Sequence, residues 1–532
     1  MEGVMSREKI FPIVLVILSV MLFGILLKDL MHFGVDDSYI FYRYAENLSV
    51  GNGFVFNAGE PAGEGFTSWI WLLLLAFFKL FGLDVILISK TLGVLFHLFS
   101  AYIIYCIVRQ ITPKEPGSVS MITAILSAAA YLSSYQLVAH TVSGMETSLY
   151  IFSLLLLIYF TSRALLDMFF DNKHWFTVGL AALFVFLVRP EGIAAGGISL
   201  IALAVKRPKD LLSIKTYGII SSVLIIPFAL FILMKVAVFG YPLPQSFYHK
   251  FIIVSTEYGK AWQEYLEFIR EYAWLIFPAL TASIITAYQY KQYVYYYFPV
   301  LFLAMTTLYL LFYPVMNYLH RFYIPYIPLL LIGVSPYIYM IVDTCSRFSR
   351  IPLRIGAILL LFVAMIFGIN WNIAKSREIV YSWSKHVNPS ISRTRMGIIM
   401  SQLPRQVTIA NSEMGVIPYY SRLTCIDMVG LTDPYIAHHG MSIEYLTRRH
   451  VDIIVFPRNI ANVAPNEWDS FGLNYKTIFL SPKFKRDFEC IGAYIGPDKK
   501  GMKYYFYVDR TSLHYDNIIK WEKTFSGEMS EH

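Results

Sequence analysis

Apolar stretches long enough to cross a bilayer recur through the first 371 residues, and they decide what this chain can fold into. They lie near 10–30, 85–108, 119–139, 148–168, 174–189, 191–205, 216–239, 272–289, 294–314, 322–343 and 353–371. In hydrocarbon each backbone polar group must be satisfied within its own segment, so runs of about 20 residues fold as spanning helices. Hydrophobic residues make up 56% of the 532, charged residues 15%, and mean hydropathy is +0.53, so most of the chain has lipid as its solvent. The pattern predicts a polytopic α-helical membrane protein with about eleven transmembrane helices.

A net charge of +8 would suit a nucleic-acid binder, but Lys and Arg lie mainly in short loops between apolar runs, as membrane orientation requires. No nucleic-acid partner is expected; the bilayer is the partner. The stretch 68–83 is the hard case. Its core, WIWLLLLAFFKLFG, is greasy and Trp-rich but only about fifteen residues long, too short for a crossing, so it reads as an interfacial helix lying flat. With that assignment Arg7, Lys9, Arg109, Lys114, Arg163, Lys173, the run KRPKDLLSIK (206–215), Lys291, Arg347, Arg350 and Arg354 fall on one side, which the positive-inside rule makes cytoplasmic. MEGVMSREK ahead of an apolar run, with no small-residue cleavage site, reads as an uncleaved signal-anchor, and the expected location is the plasma (inner) membrane.

The opposite, periplasmic or extracellular side then collects every polar cluster that looks chemical: the outer loop 31–84, TVSGMETS (141–148), LVRPEG (187–192), FGYPLPQSFYHK (239–250), MNYLHRF (316–322) and all that follows residue 371. In the loop, Asp36 and Asp37 open a helix whose apolar face is Ile40, Phe41, Tyr44, Ala45 and Leu48, and Glu60 and Glu64 follow in GEPAGEG. A transporter would place such groups in broken helices at mid-bilayer, whereas these lie at span ends. A group-transfer enzyme on this face has no ATP, so it needs a donor carried in the membrane, such as a sugar on a polyprenyl phosphate. Transfer to a hydroxyl of a glycan or glycoprotein calls for a carboxylate on the acceptor and cations on the departing phosphate.

Asp37 first and Asp36 second are the expected catalytic acids. Arg189, Lys250, Arg321 and His320 stand on a side where orientation does not call for cations, and they are the candidates for the donor phosphate. Glu146, Glu191 and Glu64 would orient the sugar or a metal, and a Mg²⁺ or Mn²⁺ ion on Asp36, Asp37 and Glu146 is the cofactor that hard oxygen ligands allow. Each residue also has a plainer use. Asp36 or Asp37 would cap the helix it opens; Ser143 and Glu146 form the S-x-x-E of a capping box; Arg189-Pro190-Glu191-Gly192 would be a tight turn, and Lys250 a snorkelling lysine.

Beyond residue 371 the composition changes. RTRMGIIMSQLP (393–404) predicts an amphipathic helix; QVTIA (406–410), VDIIVFP (451–457), YKTIFL (475–480), CIGAYIG (490–496) and KYYFYVD (503–509) predict short strands, and the last residues a polar helix or frayed end. The division expected is a transmembrane module, 1–371, and a small C-terminal extracytoplasmic α/β domain, 372–532. Cys425 and Cys490 both fall in that domain, as a disulfide or as two buried thiols.

The run DDSYIFYRYAENLSVGNGFVFNAGEPAGEGFTSWIWLLLLA resembles the first outer loop of membrane glycosyltransferases of the GT-C class, especially the branch of the mycobacterial terminal arabinofuranosyltransferase. The matching positions are Asp36, Asp37, Ile40, Arg43, Tyr44, Ala45, Asn47 and Leu48, then Gly51, Gly53, Val55, Phe56, Asn57, Gly59 and Glu60, then Glu64, Gly65 and Thr67. Ser143 to Thr147, Arg189 to Gly192, the segment 244–250 and ANSEMGVIPYYSRLTCIDMVGLTD (410–433) match in turn. The resemblance implies a GT-C-like catalytic module, a polyprenyl-phosphate sugar donor, an outward site with Asp36 or Asp37 at its centre, and arabinofuranose as the sugar. Phe66 stands where the branch has Tyr and Gln245 where Asn is common. The rival readings are a polysaccharide ligase with a lipid-diphosphate donor and a lipid-carrier flippase or transporter.

Overall fold

The computed structural model describes residues 2–113, 117–248, 258–311, 317–382, 391–457, 478–495, 503–525 and 529–530. Among them eight helices are long and apolar enough to cross a membrane: Ile10–Leu30, Val85–Ile111, Thr147–Leu166, Ile214–Phe239, Gly259–Tyr290, Tyr293–Leu310, Tyr318–Ser346 and Ile351–Ile369. Gly117–Leu132 and Tyr135–Val142, bent by 58°, make a ninth if counted as one span. The other two predicted spans are the shorter apolar helices Asn172–Val188 and Gly192–Lys206. At 1.5 Å per residue these reach roughly 25 and 22 Å, less than the ~30 Å hydrocarbon core. Trp69–Leu80 is shorter still, about 18 Å. It buries Trp69, Trp71, Leu72, Leu75 and Ala76 and leaves Leu73, Phe77 and Leu80 exposed.

The chain divides into two compact units, and contacts group the first outer loop with the tail, not with the spans. The first unit comprises Met1–His32, Lys90–Leu233 and Tyr258–Ile379. Leu15, Leu126, Val342 and Phe362 belong to one of its cores. Asn172–Val188 and Gly192–Lys206 pack backbone to backbone: a Cβ on Gly196 would lie 2.7 Å from that of Ala182, and one on Gly192 2.6 Å from the Val185 carbonyl. After the bend at Ser133 and Ser134, the chain runs through Val142 into a turn where Gly144, at φ 85°, reverses it toward Thr147–Leu166.

The second unit comprises Phe33–Ser89, Met234–Glu257 and Val380–His532. Its sheet has six strands: β1 (Thr408–Asn411), β2 (Thr424–Asp427), β3 (Ile453–Phe456), β4 (Phe488–Ile495), β5 (Lys503–Asp509) and β6 (Met529–Ser530), in the order β2-β1-β3-β5-β4-β6. β1 pairs parallel with β2 and β3, each crossover carrying short helices, whereas β5 and β4 add antiparallel. Ala410, Ile426, Ile454, Phe456, Tyr505 and Tyr507 fill its core together with the helices over it. The predicted strands at 406–410, 451–457, 490–496 and 503–509 form, as does the helix, Ile391–Met400. The strand expected at 475–480 does not: residues 475–477 lie outside the described residues, and Ile478 and Phe479 are helical. All four cysteines are free. Cys425 is buried with its Sγ 3.5 Å from Met414 Sδ, so the alternative of a Cys425–Cys490 disulfide falls away.

Candidate active site

Asp36 opens the helix Asp36–Ser49, but the N-cap residue is Val35, which supplies no side-chain cap. The Asp36 carboxylate is used elsewhere in its unit, accepting the N–H of Gly415 (3.0 Å) and of Val416 (2.9 Å) at the start of Val416–Ser421. Backbone and carboxylate come so close that a Cβ on Gly415 would lie 2.1 Å from the Asp36 carbonyl oxygen. Arg393 stands 3.7 Å from Asp36 Oδ1, and is itself paired with Glu413 and bonded to the Tyr504 hydroxyl (3.0 Å), which donates to Glu413 (2.6 Å). Burial raises the Asp36 carboxyl above its ordinary range, against the pull of Arg393 and the two N–H groups. Asp37, beside it, is half-buried.

Two other loop residues of the matched motif are struts. Arg43 donates from Nε to Phe56 O (2.8 Å), from Nη1 to Pro418 O (2.6 Å), and from Nη2 to Leu423 O (2.7 Å) and Asn57 Oδ1 (3.0 Å). Asn57 in turn bonds the Cys425 backbone in both directions. Burial pushes Arg43 down to about 10, still charged at neutral pH. Glu60 pairs with Arg449, and Glu46 with Arg422. Glu64 is buried; its Oε1 accepts from Trp69 Nε1 (2.8 Å) and its Oε2 lies 2.9 Å from Lys235 Nζ. Lys235 escaped notice within LFILMKVAVF, although a lone lysine in an apolar span is itself a signal.

In the first unit the predicted residues Glu146, Arg189, Glu191 and Arg321 come together. Glu146 is the N-cap residue of Thr147–Leu166, yet its side chain makes no cap bond there. Ser143 Oγ donates to His140 O, so the capping box does not form. Glu146 Oε1 instead lies between Arg189 Nη1 (3.4 Å) and Arg321 Nη2 (3.5 Å), all three side chains being buried. Arg189 Nε is tightly paired with Glu191 Oε1 at 2.7 Å, the short span of an R-x-E turn, and Tyr309 donates to that same oxygen at 3.0 Å. Tyr150 and Phe322 each present a ring to Arg189 at 5.2 Å. Tyr150 and Tyr326 share a hydroxyl contact of 2.9 Å. Glu146 Oε2, though buried, has no hydrogen-bond partner among the described residues.

The backbone delivering Arg321 is strained. Leu319 and His320 hold φ of 50° and 54°, a left-handed pair costing on the order of 1–3 kcal/mol each. Asn317 holds the turn, accepting from Phe322 N (3.1 Å) and donating to Glu264 (2.8 Å). His320 does not join the arginines; its Nε2 lies 2.6 Å from Glu271 Oε2, an acid the sequence reading passed over. Lys250 lies outside the described residues. The carboxylates named for Mg²⁺ or Mn²⁺ do not fit a cage: Asp36 is committed to N–H donors, Glu146 faces two cations, and no group of three or more His, Cys, Asp or Glu among the described residues gathers to hold an ion.

These features define a multi-pass membrane protein with the GT-C fold and a small C-terminal sheet. The chain is similar over 93% of its length, and 97% of the other's, to apo ArnT from Cupriavidus metallidurans (TM-score 0.56, 10% identity). The undecaprenyl phosphate-bound form of that ArnT matches 94% of this chain and 98% of its own (TM-score 0.56, 11% identity). The archaeal oligosaccharyltransferase AglB from Archaeoglobus fulgidus, in complex with an inhibitory peptide and a dolichol-phosphate, matches 95% of this chain and 75% of its own (TM-score 0.55, 9% identity). At such identities the likeness is one of fold. Residues 382–507 match a domain of unknown function, DUF8728, and no curated protein sequence matches the chain.

Proposed function

We propose that this protein is a membrane glycosyltransferase that moves a sugar from a polyprenyl-phosphate carrier to a hydroxyl of a glycan or glycoprotein, on the periplasmic or extracellular face. The observation that carries the reading is the buried pair Arg189 and Arg321, both facing Glu146 Oε1 at 3.4 and 3.5 Å, with Glu146 Oε2 and Arg189 Nη1 lacking a hydrogen-bond partner among the described residues. A phosphate can draw both forks to itself, and Glu146 Oε2 remains to accept from a sugar hydroxyl. Relatives of the fold were solved with undecaprenyl phosphate and with a dolichol-phosphate, which supports a lipid phosphate here.

In the reaction the bond between the anomeric carbon and the phosphate oxygen breaks, and its electron pair leaves with the phosphate toward Arg189 and Arg321. The acceptor oxygen forms the new bond to that carbon, and its proton passes to a carboxylate. Asp37 is the group for that proton, because Asp36 already accepts two backbone N–H bonds and acts to fix the helix that carries both. The sidedness rests on the one-sided distribution of loop cations. Arabinofuranose is the sugar the first-loop motif suggests.

The test supplies purified protein with synthetic polyprenyl-phosphate arabinofuranose, alongside a polyprenyl-phosphate hexose, and a hydroxyl acceptor. Asp37→Asn should lower transfer at least about 100-fold, some 2.7 kcal/mol of barrier, with an unchanged melting temperature. Full transfer by both Asp37→Asn and Asp36→Asn would remove the catalytic assignment.

A further inference from the structure

A groove of about 590 Å³ opens in the first unit between the helices Tyr258–Tyr290 and Ile351–Ile369, away from any residue given a role above except Glu271. Its volume falls in the range of small-molecule sites. Trp371 and Trp274 both line it, 65% and 40% exposed, together with Glu267, Glu271, Asn372 and Lys375.

Trp371 is not on a loose tether. It sits in the break between Ile351–Ile369 and Ile373–Ser382, and Asn370 fixes that break by donating to Ser133 O (2.8 Å) and Ile366 O (3.0 Å) while accepting from Tyr135 N (2.8 Å). Trp274 is set by Gly368, where a Cβ would meet the indole at 2.9 Å, so only glycine lets the ring lie against the helix there. The result is a pair of indoles held at the walls of the groove, among a few charged and amide side chains.

The charges of the groove are already balanced. Lys375 Nζ lies 2.7 Å from Glu267 Oε1, and Glu271 is paired with His320. With His320 neutral, the lining acids Glu267 and Glu271 equal the lining bases Arg270 and Lys375 in number, so the lining has no net formal charge to draw in an anion. The cations are thus poorly placed to choose a phosphate headgroup, whereas aromatic faces, carboxylate lone pairs and a side-chain amide suit a ligand with apolar ring faces and many hydroxyls. Behind the groove, in a space sharing Glu271, Trp274, Trp371 and Asn372, lies Gln136. It is 7% exposed, donates to Ser376 Oγ at 3.2 Å, and its Oε1 has no hydrogen-bond partner among the described residues. A buried acceptor without a donor, in a space with room for about one water, points to a bridging water between Gln136 and the groove.

We propose that this groove binds a neutral saccharide, with a sugar ring stacked on Trp371 and hydroxyls bonded to Glu267 and Asn372. It deepens the proposed function and rests on it only in taking that saccharide to be the acceptor glycan. Binding is read apart from transfer, on the full chain in nanodiscs, with arabinohexaose and mannohexaose as saccharide probes and glycerophosphoglycerol as the lipid-headgroup probe. At least one hexasaccharide should bind and quench tryptophan fluorescence. Trp371→Ala, at an exposed position, should weaken that binding about tenfold, and Trp371→Phe by less than about threefold. Melting temperatures should stay at the wild-type value. Binding by neither hexasaccharide, binding unaffected by Trp371→Ala, or displacement by glycerophosphoglycerol overturns the groove. Trp371-dependent binding in a protein that transfers nothing keeps the groove and removes the transferase reading; transfer with an acceptor KM unchanged in Trp371→Ala keeps the transferase reading and overturns the groove as the acceptor site.

Discussion

Two regions bury charge in opposite ways. Where the first outer loop meets the tail, Arg43 spends its donors on three carbonyls and an amide, and Asp36 caps a helix with both oxygens. At the tips of the helices around Glu146, the contacts of Arg189 and Arg321 to that acid are long and one carboxylate oxygen is idle. A saturated network fixes a shape, while a buried network with unused capacity is ready to take a ligand. The contrast separates struts from site even though both use the residue types that the motif singles out.

The contrast breaks most readily at Arg43. Arg43→Ala strands three buried carbonyls, and charge-assisted bonds of this kind predict a loss of about 4 kcal/mol, seen as proteolysis of the tail at temperatures where wild type resists. Arg43→Lys should fail to rescue it, since an ammonium cannot reach the same fork of acceptors. Next in size, Glu146→Ala leaves two guanidiniums facing each other and should cost about 3 kcal/mol, measured by thermal unfolding; added polyprenyl phosphate should restore part of the loss by supplying the missing anion. Asp36→Ala removes a helix cap and should lower stability by about 2 kcal/mol.

The smallest effect is a pH dependence. Burial would raise Glu46, but Arg422, the Tyr419 hydroxyl (3.0 Å) and Lys79 (3.5 Å) together hold it below its ordinary range. A depressed carboxylate stabilises the fold above its unfolded pKa and loses that contribution as pH falls through the folded value. The pair is partly exposed, so the contribution is about 0.5 kcal/mol after screening. Melting curves should show it disappear as the medium is acidified below the ordinary glutamate range, and Glu46→Gln should abolish that slope.

Much of this architecture was legible in the chain. Spanning helices follow from the apolar runs, and β5 falls on KYYFYVD because its β-branched and aromatic run is bounded by polar residues. The run YKTIFL misled, since a short apolar stretch does not distinguish strand from helix, and Ile478 and Phe479 are helical. Local motifs misled where a distant partner was stronger: Asp36 caps a helix some 380 residues later instead of its own, and Glu146 turns from the capping box to two arginines. Arg393, Glu413 and Tyr504 gave no local signal at all, because their role is set by what the fold brings beside Asp36.

Binding of decaprenyl phosphate and of unphosphorylated decaprenol to the purified protein tests the central claim most directly. The arginine pair predicts that Arg321→Gln weakens the phosphate at least about tenfold and leaves the alcohol unchanged. Equal affinity of wild type and variant for the phosphate would contradict it.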